Sequence, residues 1–189
     1  MDKSLLSDFD FTVTQDEFLS ALKLSKDDDD EMAALAAELL EKSKAFAHPA
    51  ALYSFAPVAV SGDTATINGF AVKNAFIAGM LAGLPAVVPY VATCGIGLEQ
   101  WSAALADPLE RYWADTLKLL YLGKARDALY SKVKSAYFPD AKNISSLNPG
   151  SLKEWPIQGQ IPLFKMLGGV TPDIGVVLTE SMLMLPPKT

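Results

Sequence analysis

Asp107-Pro108-Leu109-Glu110-Arg111-Tyr112-Trp113-Ala114-Asp115-Thr116-Leu117 opens the stretch that decides the fold. Aspartate is a strong helix N-cap, proline suits the first turn, and Glu110 follows the cap by three residues. Leu109, Tyr112, Trp113, Thr116, Leu117, Leu120, Tyr121, Ala125, Ala128 and Leu129 then recur at helical spacing towards Tyr137. That stripe predicts a long helix serving as the spine of the fold.

Upstream of the helix, Ala51–Val60 and Thr64–Phe70 are rich in β-formers and separated by Ser61-Gly62-Asp63, a hairpin signal. Asn74–Ala82 reads as a short helix and Leu84–Thr93 as a buried strand, although its two prolines favour an edge or a late start. A further helix is expected over Leu98–Ala106. Downstream, Asn143–Gly150 is polar and turn-rich. Pro162–Leu167 suits a short helix, and Ile174–Leu178 and Met182–Leu185 suit strands. Helices and short strands mix without βαβ alternation, which predicts an α+β fold with an antiparallel sheet flanked by helices.

The N-terminal part reads as helical. Phe9–Val13 alternates weakly, as a short strand would. Thr14-Gln15-Asp16-Glu17 has capping-box spacing and predicts a helix to near Lys23. Asp27–Asp30 lies where carboxylates meet the positive end of the next helix. Met32, Leu35, Ala36, Leu39, Leu40, Ser43 and Phe46 continue an apolar stripe that Pro49 ends. The expected division is a helical segment over 1–48 and an α+β domain over 49–189, or one continuous domain.

Composition narrows the function. The chain has 189 residues, 50% hydrophobic, enough to bury a core and too apolar for disorder. A formal charge of -6 argues against a nucleic-acid binder, which needs a basic face. Residues 1–31 hold ten acidic and three basic side chains, whereas the remainder holds twelve and thirteen. The acidity thus belongs to the N-terminal segment, where it reads as a solvated face. Between Lys73 and Glu99 lie 25 uncharged residues, but Pro85 and Pro89 would break a spanning helix in its middle. Met1–Asp10 mixes charges with short apolar pairs, unlike a signal peptide. A cytoplasmic protein is expected, with no membrane or nucleic-acid partner.

The usual catalytic sets are absent from the sequence. One histidine, His48, and one cysteine, Cys94, cannot build a His/Cys metal cage. The contiguous aspartates lack the alternation and glycine of a calcium loop. No Gly-x-Ser-x-Gly elbow, dinucleotide fingerprint or P-loop is present. What remains is a set of loops. Thr93-Cys94-Gly95-Ile96-Gly97 leads from the apolar strand into a helix, where amides can hold an anionic group, or forms a plain strand-to-helix turn. Asn148-Pro149-Gly150-Ser151 is a tight turn. Glu180, within Thr179-Glu180-Ser181, is either an exposed loop charge or a placed hydrogen-bond acceptor.

These loops together resemble a known family. Asn148-Pro149-Gly150-Ser151-Leu152, Trp155-Pro156-Ile157, Gln160, Leu163-Phe164, Leu167-Gly168, Ile174-Gly175-Val176 and Leu178-Thr179-Glu180-Ser181 up to Pro186 look like the C-terminal part of the activation domain of vitamin B12-dependent methionine synthase. Thr93-Cys94-Gly95 with Glu99 and Trp101, and Asp107-Pro108-Leu109-Glu110 with Tyr112, Trp113 and Asp115, fit the same pattern. The similarity is closest to stand-alone activation-domain-like proteins of corrinoid-using anaerobes. It implies an antiparallel α+β domain with a shallow S-adenosylmethionine site. It also implies an accessory role in reductive methylation of a cobalamin-dependent methyltransferase, with cobalamin carried by the partner and an electron from flavodoxin or another reductant. The implied site comprises Thr93, Gly95, Asn148, Pro149, Gly150, Ser151 and Glu180, none of them catalytic, because the chemistry occurs on the partner's cobalt.

Two positions depart from the family. Its Arg-x-x-x-Gly-Tyr motif, placed with the glycine on Gly150, reads Ser146 for arginine and Ser151 for tyrosine. Arginine grips a carboxylate with a charge-assisted fork that serine lacks. Losing such a contact weakens binding on the order of a hundredfold. The alternative expectation is therefore a non-catalytic binding module of the same fold, docking on a corrinoid protein or holding a small metabolite without methyl transfer.

Overall fold

The chain enters on an edge strand, β1 (Lys3–Leu6), in the computed structural model, which describes residues 2–24 and 30–189. Phe9–Val13, expected as the first strand, is irregular. Phe9 and Phe11 instead pack edge to face at 6.0 Å, and Phe11 meets Tyr121 in the same way at 6.2 Å. The capping box forms at α1 (Gln15–Leu22): Glu17 N–H donates to Thr14 Oγ1 at 3.2 Å, and Thr14 N–H donates to Glu17 Oε2 at 2.8 Å. Helix α2 (Asp30–Ser43) follows; of the aspartate run expected at its start, Asp27–Asp29 lie outside the described residues.

The expected strand over Ala51–Val60 divides at Phe55 into β2 (Ala50–Ser54) and β3 (Ala56–Ser61). Strand β2 is buried throughout, while β3 alternates and leads through the Ser61-Gly62-Asp63 turn into β4 (Thr64–Ile67) and then β5 (Phe70–Lys73). Asn74 caps α3 (Ala75–Leu81), its Oδ1 accepting from Ile77 N–H at 2.9 Å. The expected strand over Leu84–Thr93 divides in the same manner, into β6 (Ala86–Val87) and β7 (Tyr90–Thr93). The two breaks face each other, since Ala56 pairs with Val87 and Tyr53 with Tyr90. Pro89 cannot donate to a ladder. Its carbonyl accepts from Ser54 N–H at 3.1 Å, so the ribbon bends as a unit and passes into a second sheet.

Helix α4 (Ile96–Ala103) precedes α5 (Pro108–Tyr137), the 30-residue spine. Asp107 caps it, Oδ1 accepting from Leu109 N–H at 2.7 Å and Glu110 N–H at 3.1 Å. After the turn at 148–151 come α6 (Gln160–Leu167) and α7 (Val170–Ile174), then the small hairpin β8 (Val177–Leu178) and β9 (Met184–Leu185). Ile174, expected in a strand, therefore ends a helix, and Gly175 in the left-handed region caps it.

All strand pairs are antiparallel, in the orders β1-β2-β7, β5-β4-β3-β6 and β8-β9. Successive side chains of a strand face opposite ways. Ala51 and Tyr53 of β2 accordingly join the core built with Phe18, Leu39, Leu117 and Tyr121 of α1, α2 and α5. Ala50 and Leu52 join Leu167, Val170 and Val176 on the other face. A third cluster, with Ala65, Ile67, Ile77 and Met166, lies under the four-stranded sheet. Among the described residues no helix is long and apolar enough to cross a membrane. The uncharged run after Lys73 is divided among α3, β6, β7 and the start of α4.

Candidate functional site

Strand β7 ends at Thr93, which is 1% exposed and pairs with Ala50 of the central strand. Its Oγ1 accepts from Gly95 N–H at 3.1 Å and turns the chain towards α4. Gly95 has φ +97°, a conformation that favours glycine, and a β-carbon there would meet the His48 backbone. A β-carbon on Gly97 would lie 3.1 Å from Phe46 O. The loop thus rests on the segment joining α2 to β2. Phe46 strengthens the contact by stacking on Trp101 of α4 at 5.7 Å.

Cys94 and His48 become neighbours through this contact without forming a nucleophile pair. Cys94 is fully buried and its Sγ faces Gly95 O at 3.9 Å, while His48 Nδ1 lies 3.2 Å from Phe46 O. Burial pushes the Cys94 thiol up to about 11, the reverse of what a thiolate nucleophile needs.

The loop's amides are partly committed. Gly95 N–H serves Thr93, and Cys94 N–H donates to Lys188 O at 3.4 Å. Among the described residues no side chain caps the first turn of α4. A β-carbon on Gly175 would lie 3.7 Å from Ile96 Cγ2, so the C-terminal segment borders the loop at both Ile96 and Cys94.

Beneath α4 lies a residue that the sequence reading passed over. Lys118 of α5 is 5% exposed, with Nζ 2.8 Å from Glu99 Oε2 and 2.7 Å from Asp115 Oδ1. Burial alone would pull its pKa down, but hydrogen bonds and ion pairs with Asp115 and Glu99 outweigh that and hold it above the ordinary lysine value. The signal was present, because Ala114, Lys118 and Leu122 follow one another at i, i+4 on the buried stripe.

The turn at 148–151 is built separately. Ser151 N–H donates to Asn148 O at 3.1 Å and Gly150 N–H donates to Trp155 O at 2.8 Å. Gly150 has φ +88°, and a β-carbon there would lie 3.3 Å from Ile157 Cβ. Asn74 Nδ2 donates to Glu154 O at 2.9 Å, tying the turn's far side to the start of α3. Gln160 Oε1, in the first turn of α6, is buried and has no hydrogen-bond partner among the described residues. Ser146, Asn148, Gly150 and Ser151 are exposed.

Glu180 is exposed at the turn between β8 and β9. Thr179 holds that turn: its N–H donates to Leu183 O at 2.9 Å, and its Oγ1 accepts from Leu183 N–H at 3.0 Å. Of the sequence-named residues, Thr93 and Gly95 share one loop, bordered by the C-terminal segment that carries Glu180. Among the described residues no hydrogen bond or ion pair joins the 148–151 turn to that loop. A cavity of about 330 Å³ lies elsewhere, walled by Phe9, Phe11, Val13, Lys44 and Tyr121, and none of the sequence-named residues lines it.

No protein-family model matches the sequence, and no curated protein matches it. Among solved structures, the chain is similar to a crystal structure of the MetH reactivation domain bound to AdoHcy. The match covers 100% of this chain and 76% of that one, with a TM-score of 0.68 at 13% identity. The two share a fold of helices packed on antiparallel strands, and the resemblance read from the C-terminal motifs holds at the level of structure.

Proposed function

We propose that the chain is a cytoplasmic accessory protein for reductive methylation of a cobalamin-dependent methyltransferase, with S-adenosylmethionine as methyl donor. The observation that carries this reading is the chain-long fold likeness to the MetH reactivation domain bound to AdoHcy. The partner's cobalamin would take the methyl group, after one-electron reduction by flavodoxin or another reductant. This chain's part is to hold and orient the donor. Thr93 and Gly95 shape the loop before the uncapped turn of α4, whose amides suit a carboxylate. Asn148, Gly150 and Ser151 form the exposed part of a turn completed by half-buried Pro149, and Glu180 supplies an acceptor for hydroxyl or ammonium groups.

A second reading is a binding module that docks on a corrinoid protein, or holds a small metabolite, without methyl transfer. Two observations favour it. Ser146 and Ser151 stand where the family carries arginine and tyrosine, and four of the amides in the two candidate loops are committed within the protein. The deciding experiment adds the purified protein to an oxidised corrinoid methyltransferase with reductant and S-adenosylmethionine. Recovered activity that depends on both additions supports the first reading. Capture of the corrinoid protein with no recovery, and with no dependence on S-adenosylmethionine, supports the second.

A further inference from the structure

Lys118 is nearly sealed from solvent, yet it carries two carboxylate partners that do different jobs. Asp115 lies on the same helix three residues away, so that pair ties α5 only to itself. Glu99 lies in the first turn of α4, so its pair with Lys118 spans two helices. The Thr93–Gly97 loop is also seated by the Thr93–Gly95 hydrogen bond, the close approaches to Phe46 and His48, the long hydrogen bond to Lys188, and the packing of Leu98 into the core beside Trp113 and Leu117 of α5. That apolar packing presses α4 onto α5 but is non-directional, whereas the Glu99–Lys118 pair fixes one position of the first turn. A charge-assisted hydrogen bond in a water-poor setting is both stronger and more directional than a neutral one.

We propose that Lys118 is the positioning residue of the candidate site. Through Glu99 it clamps the first turn of α4 onto α5 and so holds the Thr93–Gly97 loop in the form that receives ligand. The ligand half of this inference rests on the functional reading above, while the clamp itself does not. It acts through Glu99 and touches no ligand.

The protein carries its own reporter. Cys94 is the single cysteine of the chain, lies inside the loop and is fully buried. Its reaction with a disulfide reagent therefore requires the loop to open. With reagent in saturating excess, the rate is that of opening and is independent of the thiol's acidity. The experiment compares Glu99→Gln, Lys118→Met and Asp115→Asn in the full chain. It reads opening rate, AdoHcy affinity by calorimetry and global stability in urea.

Glu99→Gln and Lys118→Met are expected to speed Cys94 modification about tenfold and to weaken AdoHcy to a similar extent. Asp115→Asn is expected to leave both within about twofold, because it removes a carboxylate from the same lysine without cutting the link between helices. A merely structural role for Lys118 would make the Glu99 and Asp115 variants behave alike, and that result overturns the proposal, as does an unchanged opening rate in Glu99→Gln. Should Lys118→Met fail to fold, the Glu99 and Asp115 pair still decides. Should the unaltered protein bind no AdoHcy, the functional reading falls, and the thiol rates continue to judge the clamp.

Discussion

A β-carbon on Gly95 would lie 2.8 Å from the carbonyl oxygen of His48. The candidate loop is thus seated directly on the backbone that leads into the central strand. Two costs meet at this position, a left-handed φ of +97° and a contact with backbone that cannot swing aside. Gly95→Ala is expected to lose about 2–4 kcal/mol of stability. Urea unfolding measures this directly, and a loss below about 1 kcal/mol would show that the loop lifts freely off His48.

Alkaline pH should weaken the fold through Cys94. Burial raises its pKa from 9.0 in the unfolded chain to about 11 in the native state. The folded protein then binds the thiol proton more tightly than the unfolded chain does. The associated stability is full below pH 9 and is lost as pH rises through 11. That loss is about 2–3 kcal/mol. Lysines and tyrosines titrate in the same range, so the quantity to follow is the difference between the unaltered protein and Cys94→Ala. That difference should shrink as pH climbs, and a flat difference would contradict the burial.

Asp107→Ala removes an acceptor shared by Leu109 and Glu110 at the head of the spine helix. A loss of about 1 kcal/mol is expected. The urea midpoint should fall while the slope stays constant, since the cap changes stability and not the extent of the core.

Ser146 and Ser151 are exposed, so larger side chains there meet solvent and not the core. Ser146→Arg/Ser151→Tyr rebuilds Arg-x-x-x-Gly-Tyr around Gly150. If the turn holds the methyl donor, calorimetry should show binding tighter on the order of a hundredfold. Unchanged affinity would remove the 148–151 turn from the site.

The sequence made local signals legible and concealed long-range ones. The capping box at Thr14 and the aspartate cap at 107 depend on neighbours three residues apart, and both form. Phe55 and Pro89 were harder to read. Each run of β-formers looked continuous, and only the pairing of Ala56 with Val87 opposite Tyr53 with Tyr90 shows that both strands change sheet together. Lys3–Leu6 is short and carries two polar residues followed by two leucines, without the alternation of a strand, and it forms one because β2 offers it an edge. At the candidate site, the loop residues were visible as a motif. The seat under Gly95 was not, because His48 lies 47 residues before it; the place of Lys118 on the stripe of α5 could be read, but its pairing with Glu99, 19 residues earlier, could not.

The junction at Phe55 has a mechanical meaning. One residue separates the central strand of the first sheet from the inner strand of the second, and the flanking pairs leave it little slack. Strand β2 meets that junction at one end, and at its other end Ala50 pairs with Thr93. The β3–β4 hairpin and the candidate loop are thus anchored on opposite ends of one buried five-residue strand.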